Sequence, residues 1–164
     1  MEVSSNNVFE RNALTGNWAG MRFISSGNNK LRNNTMTSNT ENFAILGAEP
    51  FYINDVDTSN TVDGRPIYYW VGMSDRTVPS DAGCVVLVNC VGATVEGLSL
   101  ANNLDGIILV TCMNSVVANN TILQTNGGIT THGCINDRII GNKIDCINAI
   151  SVNGNGSQII NNRP

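Results

Sequence analysis

Short runs of Val, Ile, Leu and Phe alternate with Asn, Gly, Ser and Thr along the whole chain, and the apolar positions return every 22 residues. Set out at that interval, Phe9, Leu31, Ile53, Val95, Val117 and Ile139 fall in one column, with Ile159 following after 20. A second column, five residues on, holds Leu14, Met36, Leu100, Ile122 and Ile144. A third holds Met21, Phe43, Val85, Ile107 and Ile129, joined by Ile150 after a one-residue deletion, and a fourth holds Phe23, Ile45, Leu87 and Leu109. Between the first two columns runs a file of asparagines: Asn12, Asn34, Asn120, Asn142 and Asn162.

A repeat of this length with short β-branched runs and Asn or Gly at fixed turns fits either a leucine-rich repeat or a parallel β-helix. The leucine-rich frame LxxLxLxxN is absent. The pattern predicts an all-β fold: a right-handed, single-stranded parallel β-helix of about six to seven coils in one domain over 1–164, each strand stacking on its equivalent about 4.8 Å away. Asparagine suits the corners of such a coil in two ways. It tolerates positive φ, and its amide can hydrogen-bond to the same amide one coil on.

Cysteine obeys the same interval. Cys90, Cys112 and Cys134 follow the strands "VVLVN", "IILVT" and "GITTHG" at one per coil, where a small, soft hydrophobe stacks well. Three stacked thiols cannot all pair within one chain, and the total of five cysteines leaves one over.

The stacking lapses between Phe43 and Val85, which predicts an insertion at about 59–82, inside "DTSNTVDGRPIYYWVGMSDRTVPSDAG". Five of the nine aromatics fall between Phe51 and Trp70, and five acids lie between Asp55 and Asp81. Long excursions from a regular scaffold often carry function or capping. "RPIYYW" reads either as a hairpin or flap covering the flank of the coils, or as a platform on which Tyr68, Tyr69 and Trp70, with Asp63 beside them, bind sugar rings. "DVDTSNTVD" offers Asp55, Asp57, Ser59 and Asp63 to calcium but lacks the glycine and terminal glutamate of an EF-hand loop.

The stretch "NDVDTSNTVDGRPIYYWVG…VPSDAGCVVLVNCVGATVEGLSLANNLDGIILVTCMNSVVANNTI" resembles the NosD-type, or CASH (carbohydrate-binding and sugar hydrolase), β-helix domain, as it occurs in surface and exported proteins of methanogenic archaea. The likeness is specific from Asn54 to about Ile129 and extends to the rest at the level of the repeat. It implies a parallel β-helix outside the cell, in a cell-surface, S-layer or sheath setting. Its name points to carbohydrate and to copper delivery, but a fold of this kind hosts many functions.

Charged residues make up 13% of the chain, the net charge is -4 and the pI is about 4.7, so no basic surface exists to attract nucleic acid. Asparagine, at 26 residues, takes the place of charge. No run is long and apolar enough to span a membrane. The start "MEVSSNNVFE" is no signal peptide, so an exported form is expected to be a mature or excised piece.

A glycosidase or lyase on a solenoid face needs a carboxylate pair, or a carboxylate with a base, on adjacent coils. Glu10, Glu41, Glu49, Glu96, Asp105, Asp137 and Asp145 share no column one coil apart, which argues against catalysis by the regular coils. A soft-metal site for copper would need His132, Cys134 and Cys112 on one face, with Met113 alongside. The competing reading of His132, the chain's single histidine, is a solvent-facing turn residue. Asn33, Asn119 and Asn155 begin N-x-S/T sequons. The sequence thus predicts a non-catalytic, extracellular module with a structural, assembly or adhesive role and weak glycan binding. Copies of itself, through coil ends or flanks, and cell-surface glycans are the expected partners, and no cofactor is required, calcium and copper being the candidates weighed. A carbohydrate-active enzyme and a copper-binding accessory protein are the alternatives.

Overall fold

Short strands joined by single residues of left-handed φ make the coil, and the sequence supplies such residues at each corner. Residues 3–164 are described by the computed structural model. The first coil holds β1 (Val8–Glu10), β2 (Ala13–Thr15) and β3 (Ala19–Ile24). The second holds β4 (Lys30–Arg32), β5 (Thr35–Thr37) and β6 (Glu41–Leu46), followed by a 3-10 turn over Glu49–Tyr52. The third begins with β7 (Asp55–Val56) and β8 (Thr61–Val62) and gives way to β9 (Arg65–Val71). Regular coils then follow: β10 (Cys84–Val88), β11 (Thr94–Glu96) and β12 (Ser99–Ala101); then β13 (Asp105–Val110), β14 (Val116–Ala118) and β15 (Thr121–Leu123). The next coil is β16 (Gly127–Ile135), β17 (Arg138–Ile140) and β18 (Lys143–Asp145), and the last described is β19 (Asn148–Asn155) and β20 (Gln158–Ile160). The chain is an all-β parallel solenoid of about seven turns with coils of about 22 residues.

Most of the expected columns exist as paired strands. Phe9 stacks on Leu31, Leu14 on Met36, and Met21 on Phe43. Val95, Val117, Ile139 and Ile159 form one continuous file, as do Leu100, Ile122 and Ile144. Two positions move. Leu31 meets Val56 rather than Ile53, because the 3-10 turn lengthens that coil, and Phe43 does not lie beneath Val85.

The reason is a reversal at Asp63 and Gly64. Strand β9 pairs antiparallel with β8 (Thr61 with Pro66, Val62 with Arg65) and then parallel with β10 (Tyr68 with Val85, Trp70 with Leu87). One eight-stranded sheet therefore runs β2-β5-β8-β9-β10-β13-β16-β19. The hairpin expected near residue 60 exists. Its aromatic strand is a rung of the stack, however, paired to β8 at Arg65 and Pro66 and to β10 from Ile67 to Val71, rather than a flap laid over it.

Side chains alternate across a strand, and this sheet buries both of its faces. Val85, Leu87, Ile107, Leu109 and Ile129 point into one core with Leu100, Val117, Ile122 and Ile139. Val62, Ile67, Tyr69, Val86, Val88, Ile108 and Val110 point into another with Phe23, Leu31, Met36, Phe43 and Ile45. Two coiled lobes, β1–β8 and β9–β20, thus share one wall on opposite faces.

The asparagine file is real, but of its two expected roles it keeps only the amide bond, and the residue before it takes the left-handed φ. The left-handed φ belongs to Arg11, Asn33, Asn119, Gly141 and Asn161, each one residue before a ladder asparagine. The ladder amides bond between coils: Asn12 Nδ2 donates to Asn34 Oδ1 at 2.8 Å, Asn120 to Asn142 at 2.9 Å and Asn142 to Asn162 at 2.8 Å. The first ladder continues to Asn60 at 2.8 Å. Two further ladders, Asn7–Asn29–Asn54 and Asn17–Asn39–Asn42, occupy the other corners of the first lobe.

Candidate functional site

A second ladder of the second lobe is made of thiols. Asn89, Thr111 and Gly133 take left-handed φ, and the next residue in each coil, Cys90, Cys112 or Cys134, turns inward and is fully buried. Their Sγ atoms lie 3.4–3.6 Å from carbonyls of Val88, Leu87, Val110, Leu109 and His132. All five cysteines are free. Hydrogen bonds to Cys134 and Cys90, with burial, hold the Cys112 thiol far above its ordinary value. These cysteines fill the core.

The same corner separates the expected soft-metal cluster. One left-handed residue at Gly133 shifts the strand register, so Cys134 points into the second-lobe core while His132 points to the opposite face. There His132 Nε2 lies 3.3 Å from Tyr52 Oη, with the two rings 5.4 Å apart. Cys112, His132 and Cys134 do not converge.

The expected calcium ligands are spoken for. Asp55 and Asp57 hold Arg32 at 2.6 and 3.0 Å, and Ser59 donates to Asp57. Asp63 pins the hairpin. It accepts the Ser38 N–H at 2.8 Å and the side-chain amides of Asn42 and Asn102 at 2.7 and 3.1 Å, so it joins both lobes. Among the described residues no group of three or more His, Cys, Asp or Glu side chains is arranged to hold a metal.

The aromatic trio is split by strand alternation. Tyr68 and Trp70 face the second-lobe core edge to face, with ring centroids 6.2 Å apart, and the Tyr68 hydroxyl donates to Asp81 at 2.9 Å. Tyr69 faces the first-lobe core, buried, and its hydroxyl donates to the Tyr52 carbonyl. Burial pushes the Tyr69 phenol up. No three-ring platform forms.

A groove at the seam between the lobes gathers polar groups that no column relates. Its walls are the end of β6 with the following 3-10 turn, and the outward face of β13, β16 and β19. The seam is tied by Asn42 N–H to the Asn102 carbonyl at 2.6 Å, Leu104 N–H to the Phe43 carbonyl at 3.1 Å, and Asn126 Nδ2 to Glu41 Oε1 at 2.7 Å. Glu41 is 2% exposed and its other oxygen meets Arg22 at 2.6 Å. The groove encloses about 650 Å³ and is lined by Leu46, Leu104, Asp105, Thr130, Asn148 and Ser151 among others. A second recess of about 350 Å³ lies further along β16 and β19, at Glu49, His132, Gly133 and Asn153.

Asp105 lies over Gly127 of the next coil and accepts the Thr130 hydroxyl at 2.7 Å. A Cβ at Gly127 would stand 1.9 Å from its Oδ1. Burial first, and nearby Glu41 as a smaller cause, push the Asp105 carboxyl up against the opposing pull of Thr130 and His132. Glu49, from the first lobe, also faces a glycine: a Cβ at Gly133 would stand 2.5 Å from its Oε1. Spacing along the chain missed this group because Glu41 and Asp105 belong to different lobes. The available signal was the lapse in register at 59–82, which frees the columns on either side of it from a common axis.

No protein-family model, no curated protein and no solved structure matches this chain.

Proposed function

We propose that the chain is a non-catalytic, extracellular β-solenoid module with a structural or adhesive role, and that it holds an extended glycan in the seam groove. The groove itself carries this reading. It is long, open and of ligand size, apolar at Leu46, Leu104 and Ile150, and edged by the amides and hydroxyls of Asn126, Asn148, Thr130 and Ser151, a mixture that suits a sugar's apolar ring face and its hydroxyls. The exterior setting is supported by the likeness to NosD-type domains and by exposed sequon asparagines, Asn33 and Asn119, at coil corners. Affinity electrophoresis through immobilised polysaccharides tests it. Asn148→Ala and Ser151→Ala should each weaken retention about fivefold, the worth of one neutral hydrogen bond of about 1 kcal/mol. A folded protein retained by no polysaccharide would refute the reading.

A second reading, a carbohydrate-cleaving enzyme, is favoured by Asp105. A carboxyl pushed up by burial beside a second acid is how a general acid is prepared. Product release from an oligosaccharide, abolished by Asp105→Asn with binding retained, would select it over the module.

A further inference from the structure

On the other side of the junction from the seam groove, β7 and β9 diverge. Strand β9 leaves β8 after two paired positions to run straight beside β10, whereas the first-lobe chain turns its corner at Asn60. The sheet β1-β4-β7 therefore ends at β7 in the middle of the molecule, and among the described residues no strand pairs with that outer edge. Asp55 directs its N–H to the Asn29 carbonyl of β4's coil. Backbone groups alternate in direction along a strand, so Asn54 and Val56 turn theirs outward.

A wedge of about 570 Å³ opens along that edge. Val56 and Ile53 form one wall, and Tyr69, Val71 and Met73 form the other. Val71 and Met73, 36% and 38% exposed, give that wall an accessible apolar surface. At the rim stands Lys30, which makes no ion pair among the described residues, whereas Asp55 is held by Arg32, which also meets Asp57.

We infer that this wedge binds an extended peptide strand, apolar toward Val71 and Met73 and acidic toward Lys30, by adding it to the β1-β4-β7 sheet. Unpaired backbone groups call for a backbone partner, which a peptide supplies at a repeat matching the strand spacing. Alternate side chains then fall on the apolar wall and toward the rim. The free ammonium selects an acid. This site is independent of the glycan groove, and its failure would leave that reading untouched.

The test uses the whole chain, labelled for backbone-amide NMR. The probe is a short acetylated and amidated peptide alternating valine with threonine and carrying one glutamate. It should slow hydrogen exchange at the Val56 N–H and shift Val71 and Met73. Its backbone N-methylated analogue and the variant Val71→Asp should each bind about tenfold more weakly. Lys30→Glu, at an exposed position, should reverse the preference from a glutamate-bearing to a lysine-bearing peptide. Equal binding of the N-methylated analogue, or no binding by the native chain, would overturn the inference. An oligosaccharide protecting Val56 where the peptide does not would overturn it too and assign the wedge to glycan.

Discussion

The two lobes keep one repeat length but build their corners from different chemistry. The first stacks amides at three corners, through Asn7–Asn29–Asn54, Asn12–Asn34–Asn60 and Asn17–Asn39–Asn42. The second stacks amides at one corner, Asn120–Asn142–Asn162, thiols at another, and Ser115 on Asp137 at a third. Every polar corner must satisfy an N–H from the coil before it, since a buried unpaired donor is costly. Asparagine accepts that bond and also donates. Asp137 can only accept while ionised, and the thiols, which donate weakly to backbone carbonyls, chiefly fill space. Amide corners therefore fix direction and register, while thiol corners chiefly supply volume.

Four measurements press on that contrast. The largest effect should come from the wall that belongs to neither lobe alone. Leu109→Ala, at a fully buried site on β13 of the shared sheet, should cost about 2–5 kcal/mol in urea unfolding, and tryptophan signals from Trp18 and Trp70, one per lobe, should move in a single transition. Two separate midpoints would mean that the lobes are independent units after all. Next, Asn34→Ala should cost about 1–3 kcal/mol, because it strands the Asn12 amide and the Phe9 carbonyl, whereas Cys112→Ala should cost about 1 kcal/mol. A reversed order would break the account of the corners.

Smaller still is the rung at Asp137. Its Oδ1 accepts the Ser115 N–H at 2.7 Å, its Oδ2 is buried without a partner, and burial pushes the carboxyl up from 3.8. As pH rises past that value the unfolded chain gives up its proton first, so stability is intact in acid and falls as pH climbs toward the folded value. Asp137→Asn restores a donor at this rung. It should raise stability by about 1 kcal/mol at neutral pH and by nothing near about pH 3, as read from melting curves across pH. The slightest effect is chemical: Cys146, the one cysteine that is not buried, should take up a thiol reagent in the folded state while the other four react on unfolding.

Much of the fold was legible because a solenoid writes its contacts into its period. The files through Ile122 and Val117, the amide ladder and the thiol ladder could all be placed by counting 22 residues. Counting failed where the chain changed direction. Asp63 and Gly64 look like any turn, yet they reverse the strand and move the core to the other side of the sheet, so Tyr69 parts from its neighbours and Phe43 loses its expected partner. The seam groove was illegible for the same reason. Glu41, Asp105 and Thr130 meet through packing between lobes, and such packing leaves no periodic trace. Spacing alone sets His132 and Cys134 on one face, because two residues normally return a strand to it, but the left-handed glycine between them breaks that parity.

The hairpin at Asp63 and Gly64 has one more consequence. It inverts the travel of the chain along the shared sheet and at the same moment exchanges inside for outside, while the stack keeps advancing from β8 through β9 to β10. Two inversions together leave the screw sense unchanged. The chain thus passes from one tube to a second lying beside it without adopting the disfavoured crossover hand. A continuous ribbon becomes a doubled one, whose two barrels can in principle gain or lose turns separately, like two spools fed from opposite sides of one tape.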